Sequence, residues 1–406
     1  MAQTERLRIG FIPLLDAALP IVAGSRGFAE AEGLDLELVR ESSWANIRER
    51  VAIGHVQAAH MLAPMPIAAS LGLGPLDVPL VAPMALGLGG NAITVSTALW
   101  AEMQAQGAGF EDGAAAIGAA LRQALTARRK AGAEPPTFAI VHPFSAHNYE
   151  LRYWLAGCGI APDRDVRLVV VPPPFAADAL AAGRLDGFCV GEPWNSVAVA
   201  AGCGVIATST AAIWRSSAEK VLGIRADWAE ANPALLARLV RALAAAAAWC
   251  GDPANTAELA ELLSGPAFLD RPAALLQRGL TGRLSLAPGT PPAAIADFLT
   301  FHDRAATFPW ISHALWFYSQ MVRWGQVTHG AAALAKVRQV YRPDLYRAAL
   351  QDSGIALPAA SAKVEGALTA PTMVSAIGGS LALGPDGFFD GRQFDPDLIE
   401  DYLSYL

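Results

Sequence analysis

Two hydrophobic periods alternate along residues 8–86, and this alternation restricts the fold more than any other feature of the chain. Strand-length segments occur at 8–14 (RIGFIPL), 56–64 (VQAAHMLAP) and 78–86 (VPLVAPMAL) as apolar runs, and at 35–41 (DLELVRE) as an alternating pattern. Between them lie stretches of helical period at 18–34 (ALPIVAGSRGFAEAEGL) and 43–54 (SWANIRERVAIG). Ser42 or Ser43 is placed to cap the second helix and Gly33 to end the first. Short apolar strands separated by amphipathic helices specify βαβ units, and hence a parallel sheet covered by helices.

The rhythm restarts near Ile93. A helical region at 113–132 and a Pro-Pro break at 135–136 precede strand 137–141, helix 148–159, strand 165–171, helix 175–185 and the strand of GFCV. Beyond residue 212 the pattern becomes mainly helical, in PALLARLVRALAAAAAWC, NTAELAELL, AAIADFLTFH and SHALWFYSQMVRWG. A length of 406 residues fits two domains. The expected division is a discontinuous domain I (1–92 and 212–406) and a domain II (93–211), with the chain crossing between them as in a hinged clamp. The stretch 375–403 (SAIGGSLALGPDGFFDGRQFDPDLIEDYL) reads as a loop and a short helix.

Composition excludes several classes. A net charge of −7 without a basic stripe argues against direct nucleic-acid binding. The basic run TARRK at 126–130 reads as cations at a helix C-terminus. Much of the 53% hydrophobic content is alanine, and the longest apolar stretch, LVRALAAAAAWC, is broken by Arg241. A membrane span needs about 20 apolar residues, so no transmembrane segment is expected. The four cysteines, Cys158, Cys189, Cys203 and Cys250, lack any CxxC and read as reduced thiols. The opening MAQTERLRIGFIPLLDAALPIVAG imitates an export signal, but Pro13, Asp16 and Pro20 interrupt it. With the thiols, this reading makes a cytoplasmic location the expectation.

Catalytic signatures are absent: no G-x-S-x-G elbow, P-loop or Rossmann fingerprint occurs, and GLGG at 87–90 lacks the required glycine spacing. Cys189 lies inside an apolar strand, which makes it an inert thiol. His55 and His60, like His142 and His147, are spaced by five, which is not a metal signature. No enzyme activity, metal or cofactor is expected. GFCVGEPWNSVAV is more informative, because an apolar strand there runs into Glu192 and Trp194. The carboxyl ends of strands in open α/β sheets are where ligand sites form. Hydrogen-bond donors at comparable positions are Trp44 at a helix start, Asn91 after a glycine run, His147 at a strand-to-helix junction and Lys220. Taken singly, each also fits an ordinary role, as core aromatic, turn former, loop histidine or surface lysine. Sequence position alone does not bring them together.

Several longer segments carry a resemblance. GFIPLLDAALPIVAGSRGFAEAEGLDLELVRESSWANIRERVAIGHVQAAHMLAPMPIA, GGNAITVS, HPFSAHNYELRYWLA, VVVPPPFAADALAAGRLDGFCVGEPWN, EKVLGIRADW and FPWISHALWFYSQMVRWG resemble the nitrate-binding protein family. That family includes nitrate and bicarbonate receptors of ABC transporters. The resemblance spans roughly residues 8–350 and implies a type 2 periplasmic-binding-protein-like fold, with two α/β domains around a ligand cleft and a helical C-terminal part. It places Trp44, His147 and Lys220 in the anion site, and Asn91 where the receptors commonly carry Gln. Pro173, in the VPPP run, lines the cleft, while Glu192 and Trp194 shape its wall or hinge.

Nitrate accepts hydrogen bonds and donates none, so its site should offer donors and about one positive charge without an inward acceptor. Bicarbonate carries a hydroxyl that wants an acceptor, and its receptors in this family replace the lysine by an acidic residue and a calcium ion. Lys220 therefore favours nitrate or nitrite. Members without an export signal resemble cytoplasmic nitrate/nitrite sensors of the NasS type. Those hold an ANTAR-type RNA-binding antiterminator and release it when ligand binds. The expected function is such a sensor, controlling nitrate assimilation without a membrane partner; the alternative is the substrate-binding receptor of a nitrate ABC transporter. Pyrimidine-forming relatives in thiamine synthesis rely on a cysteine-rich motif and a bound cofactor, and this chain lacks that motif.

Overall fold

The computed structural model describes residues 4–405. Eleven strands form its framework: β1 (Glu5–Phe11), β2 (Leu34–Arg40), β3 (Ala58–Leu62), β4 (Leu80–Val81), β5 (Leu88–Gly89), β6 (Asn91–Ser96), β7 (Thr137–Ile140), β8 (Arg167–Val170), β9 (Gly187–Gly191), β10 (Gly204–Ser209) and β11 (Lys220–Arg225). Ten of them build two five-stranded sheets, ordered β2-β1-β3-β11-β4 and β10-β6-β9-β7-β8.

Neither sheet is purely parallel, as the βαβ rhythm alone predicts. β1 runs parallel to β2 and β3, and β7 parallel to β8 and β9. β11, however, runs antiparallel to β3 and β4, and β6 antiparallel to β9 and β10. The cause is the way the chain passes between lobes. It leaves the first sheet after β4 and returns to it at β11. The outgoing and returning segments lie side by side, bridged antiparallel at Ala85↔Val221 and Leu88↔Ala218. Leu86 N–H donates to the Lys220 carbonyl (2.9 Å) and Gly89 N–H to that of Ser217 (3.0 Å). The first residues after the two crossings are the site candidates, Asn91 on β6 and Lys220 on β11.

Some elements differ from the sequence expectation for local reasons. The helix expected at 18–34 is two, Ala18–Ser25 and Phe28–Ala31, because Gly27 adopts φ 79° between them. The strand expected at 78–86 shrinks to β4, since Pro79 and Pro83 carry no N–H for a ladder. AAIADFLTFH is not helical. Ala293–Ala294 and Leu299–Thr300 are short strands, the second pairing with β5. Asp297 between them takes φ 53°, and its carboxylate accepts from Arg215 Nε at 2.5 Å. The supposed terminal loop contains a hairpin, Thr372–Ile377 with Gly379–Leu383, turned by Gly378 at φ 85°.

Helix Pro233–Gly251 is long and apolar enough to cross a membrane, yet half of its apolar window is buried. It turns Leu236, Leu239, Val240 and Leu243 into the core of the first lobe, against helix Ala18–Ser25. The basic run closes helix Ala114–Lys130, with Arg128, Arg129 and Lys130 in its last turn. All four cysteines are free thiols, with Cys189 and Cys250 buried.

The C-terminal segment ties the lobes together. Helix Ile311–Arg323 sets Trp316 and Phe317 against Tyr153 and Tyr149 of helix Ala146–Gly157. Phe388 stacks on Trp214 with ring centroids 5.0 Å apart, and Trp316 meets the same indole at 4.5 Å. The Tyr153 hydroxyl donates to Asp390 Oδ1 at 2.9 Å.

Candidate functional site

The site lies where the carboxyl ends of both sets of parallel strands face each other. Trp44 is the first residue of helix Trp44–Ala52, directly after β2. His147 is the second residue of helix Ala146–Gly157, whose N-cap Ser145 accepts from the Asn148 N–H at 3.0 Å. That places the imidazole at the partially positive end of a helix. Asn91 is paired with Gly191 at the end of β9, and Lys220 with Leu62 at the end of β3.

Trp44, Asn91, His147 and Lys220 are all buried, so Lys220 is not a surface lysine, and Asn91 opens strand β6. Lys220 Nζ lies over the Trp44 ring, 5.4 Å from its centroid. It also pairs with Asp16 Oδ2 at 2.8 Å and with Glu219 Oε1 at 2.5 Å. Asp16 holds His60 Nε2 through its other oxygen at 2.8 Å, and the His60 ring packs 5.3 Å from the indole of Trp44. His147 Nδ1 stands 3.2 Å from Glu219 Oε1 without the alignment of a hydrogen bond. Asn91 lies beside Glu219. A Cβ at Gly191 would meet Asn91 Oδ1 at 3.1 Å and stand 3.7 Å from Asp16 Oδ2, so the glycine keeps this point open.

Against this packing, several buried polar atoms find no hydrogen-bond partner among the described residues: Trp44 Nε1, Asn91 Nδ2 and Oδ1, and both nitrogens of His147. A buried donor without an acceptor costs roughly 1–3 kcal/mol, and such groups are rare in folded proteins. Three such donors, on Trp44, Asn91 and His147, lie in the cluster around one ammonium.

The sequence reading missed four members of the cluster: Asp16, His60, Glu150 and Glu219. It expected donors with no inward acceptor, whereas two carboxylates flank the lysine. Burial opposes ionisation of Asp16, yet Lys220 and His60 beside it hold its carboxyl below the usual range. Burial pushes Glu219 up, with Lys220 only partly opposing it. Glu150 is raised further by burial and by the nearby Glu219, and both its oxygens lack a partner among the described residues. Burial and the Lys220 charge press His147 well down. One signal was available for two of these residues: Asp16 interrupts LLDAAL, and Glu219 immediately precedes Lys220.

Glu192 and Trp194 sit where the lobes touch. The Trp194 indole N–H donates to the Pro13 carbonyl at 3.1 Å, and Leu15 N–H donates to the Glu192 carbonyl at 2.9 Å. These bonds join the end of β9 to the loop after β1. The Glu192 carboxylate accepts from the Ser196 N–H at 3.4 Å. Pro173 is buried at the start of the turn Pro173–Phe175 and contributes no hydrogen bond to the cluster among the described residues.

Burial pushes Glu192 up to about 7 from the ordinary carboxylate value near 4.5. The folded chain therefore holds this proton more tightly than the unfolded chain, and stability falls as pH rises from about 4.5 through about 7. Glu192→Gln should remove a loss of about 3 kcal/mol over that window. Urea unfolding of both proteins at pH 5 and pH 8 checks this: the parent should lose more stability than the variant.

The profile of the NMT1-like family matches residues 1–264. The nitrate/nitrite binding protein NrtA of Nostoc sp. is 30% identical over 100% of this chain and 86% of its own length. The bicarbonate-binding protein CmpA of Synechococcus elongatus is also 30% identical, over 100% of this chain and 87% of its own. The nitrate import ATP-binding protein NrtC of Synechocystis sp. is 35% identical over 86% of this chain, which spans only 50% of NrtC. Among solved structures, the periplasmic nitrate-binding protein NrtA from Synechocystis PCC 6803 superposes with a TM-score of 0.86 at 28% identity, covering 100% of this chain and 99% of that one. The architecture is thus the periplasmic-binding-protein-like α/β fold that the resemblance implies.

Proposed function

We propose, from the premise that this chain belongs to the NMT1-like family alongside the nitrate/nitrite-binding proteins, that it is a receptor closing on nitrate or nitrite. The carrying observation is the set of buried donors without partners, Trp44 Nε1, Asn91 Nδ2 and His147, gathered beside Lys220. Such a set suits a small planar anion that accepts hydrogen bonds from several sides. A charge-assisted bond to it contributes roughly 1.5–3 kcal/mol. The resemblance implies an acidic residue and a calcium ion in place of this lysine in bicarbonate receptors, so Lys220 supports nitrate or nitrite over bicarbonate. In this reading domain I comprises 1–92 with 212–406 and domain II 93–211. The paired crossings near 82–90 and 210–219 flex between them, and Glu192 and Trp194 latch the closed state.

The relatives named above are binding and transport proteins, and this supports the transporter receptor over the antiterminator-holding sensor expected from the sequence. The cytoplasmic sensor is the second reading, favoured by four free thiols, which persist in a reducing compartment. Co-purification with an RNA-binding antiterminator that nitrate releases would establish it.

Calorimetric titration of the chain with nitrate, nitrite and bicarbonate, in chloride-free buffer with and without calcium, tests the ligand. Nitrate or nitrite should bind in a 1:1 ratio without calcium. Calcium-dependent bicarbonate binding, or no binding of any of the three, would overturn the proposal.

A further inference from the structure

The charges around Lys220 do not suit an anion as they stand. The ammonium already faces two carboxylates, Asp16 at 2.8 Å and Glu219 at 2.5 Å, and all three groups are buried. A bound nitrate would put a third negative charge around one cation, in a region where an uncompensated charge is costly. The remaining ionisable groups facing the pair of Glu219 and His147 offer no second cation. His60, on β3, is spent on Asp16. Glu150 is an acid one helical turn from His147, next to Ser217 on the returning crossover. Tyr341 and Cys189 are buried and held in their neutral forms.

One place among these groups is built to gain a proton. His147 Nδ1 and Glu219 Oε1 stand 3.2 Å apart without an aligned hydrogen bond, while His147 Nε2 and Glu219 Oε2 have no partner among the described residues. A proton arriving there makes the imidazole a donor at both nitrogens, one toward Glu219 and one toward the ligand, or leaves Glu219 a neutral acid. Either way, one negative charge of the cluster is cancelled as the anion's charge is added.

We propose that nitrate enters this site together with one proton from solvent, which comes to rest on the Glu219–His147 pair. The proposal rests on the anion-receptor reading above and adds that Glu219 is the residue that balances the ligand's charge. Before the anion arrives, burial and the Lys220 charge keep the imidazole of His147 without its second proton, while the Lys220 ammonium opposes the upward push of burial on Glu219 and favours its carboxylate. The anion stabilises the proton by direct attraction, so binding and protonation reinforce each other by linkage.

The test is titration of the full chain with nitrate, which does not itself titrate, at one pH in buffers of differing ionisation enthalpy. The slope of observed enthalpy against buffer enthalpy counts the protons taken up. A slope near one proton is expected, with affinity falling about tenfold per pH unit on the alkaline side. Absence of nitrate binding would defeat the receptor reading itself. Binding with zero slope and no pH dependence would leave that reading standing and overturn the proton. Glu219→Gln locates the site: uptake should vanish in this variant, and uptake that persists would remove Glu219 from the account. If the variant does not fold, the slope of the unmodified protein still decides.

Discussion

Lys220→Ala should lose nitrate affinity by about 100-fold, the scale of one buried charge-assisted contact. The same change leaves Asp16 and Glu219 facing each other in a buried site, since both carboxylates take Lys220 as an ion partner. Removing one member of a buried ionic cluster costs roughly 3–5 kcal/mol, so stability should fall with affinity. Calorimetry and urea unfolding on one preparation separate the two effects. The double variant Glu219→Gln with Lys220→Ala removes one of the stranded carboxylates, so it should regain part of the stability and none of the affinity. Parent-like affinity in Lys220→Ala would mean that the lysine serves only to hold the two carboxylates.

Trp214→Ala carries the largest expected loss of stability away from the anion. Its fully buried indole is packed against Trp316 at 4.5 Å and Phe388 at 5.0 Å. Truncating a buried Trp costs about 3–5 kcal/mol. Because Phe388 and Phe389 anchor the C-terminal segment on Tyr153 and Trp214, that segment should also come loose. Limited proteolysis should then cut within residues 360–400 of the variant well before it cuts the parent. A loss below about 1 kcal/mol would show that the aromatic stack repacks around the gap.

How much of this was legible in the sequence follows from the physics of each element. β1 and the helix at 44–52 are legible because each buries apolar residues at its own period, Leu7, Ile9 and Phe11 in the strand and Trp44, Ile47 and Val51 in the helix. AAIADFLTFH carried helical periodicity, but the Arg215 and Arg304 charges claim Asp297. The Arg215 contact is long-range, and no local pattern reports it. The hairpin at 372–383 has a local signal in Gly378-Gly379 between alternating residues. Of the site, the donors were identifiable singly, and the resemblance grouped them. The carboxylates were not, because acids near a proposed anion site run against the simplest electrostatic expectation. The packing that sets Asp16 and Glu219 against one ammonium joins the turn after β1 to the residue before β11, which lie far apart in sequence.

The central claim is that Trp44, Asn91, His147 and Lys220 converge on one small anion. A crystal structure of the chain grown with nitrate tests it most directly. The account predicts a planar ligand within hydrogen-bond distance of Trp44 Nε1, Asn91 Nδ2, His147 Nε2 and Lys220 Nζ, with the Trp194–Pro13 bond intact across the closed lobes. Nitrate found elsewhere, or a closed site whose donors turn to one another or to water, would contradict it.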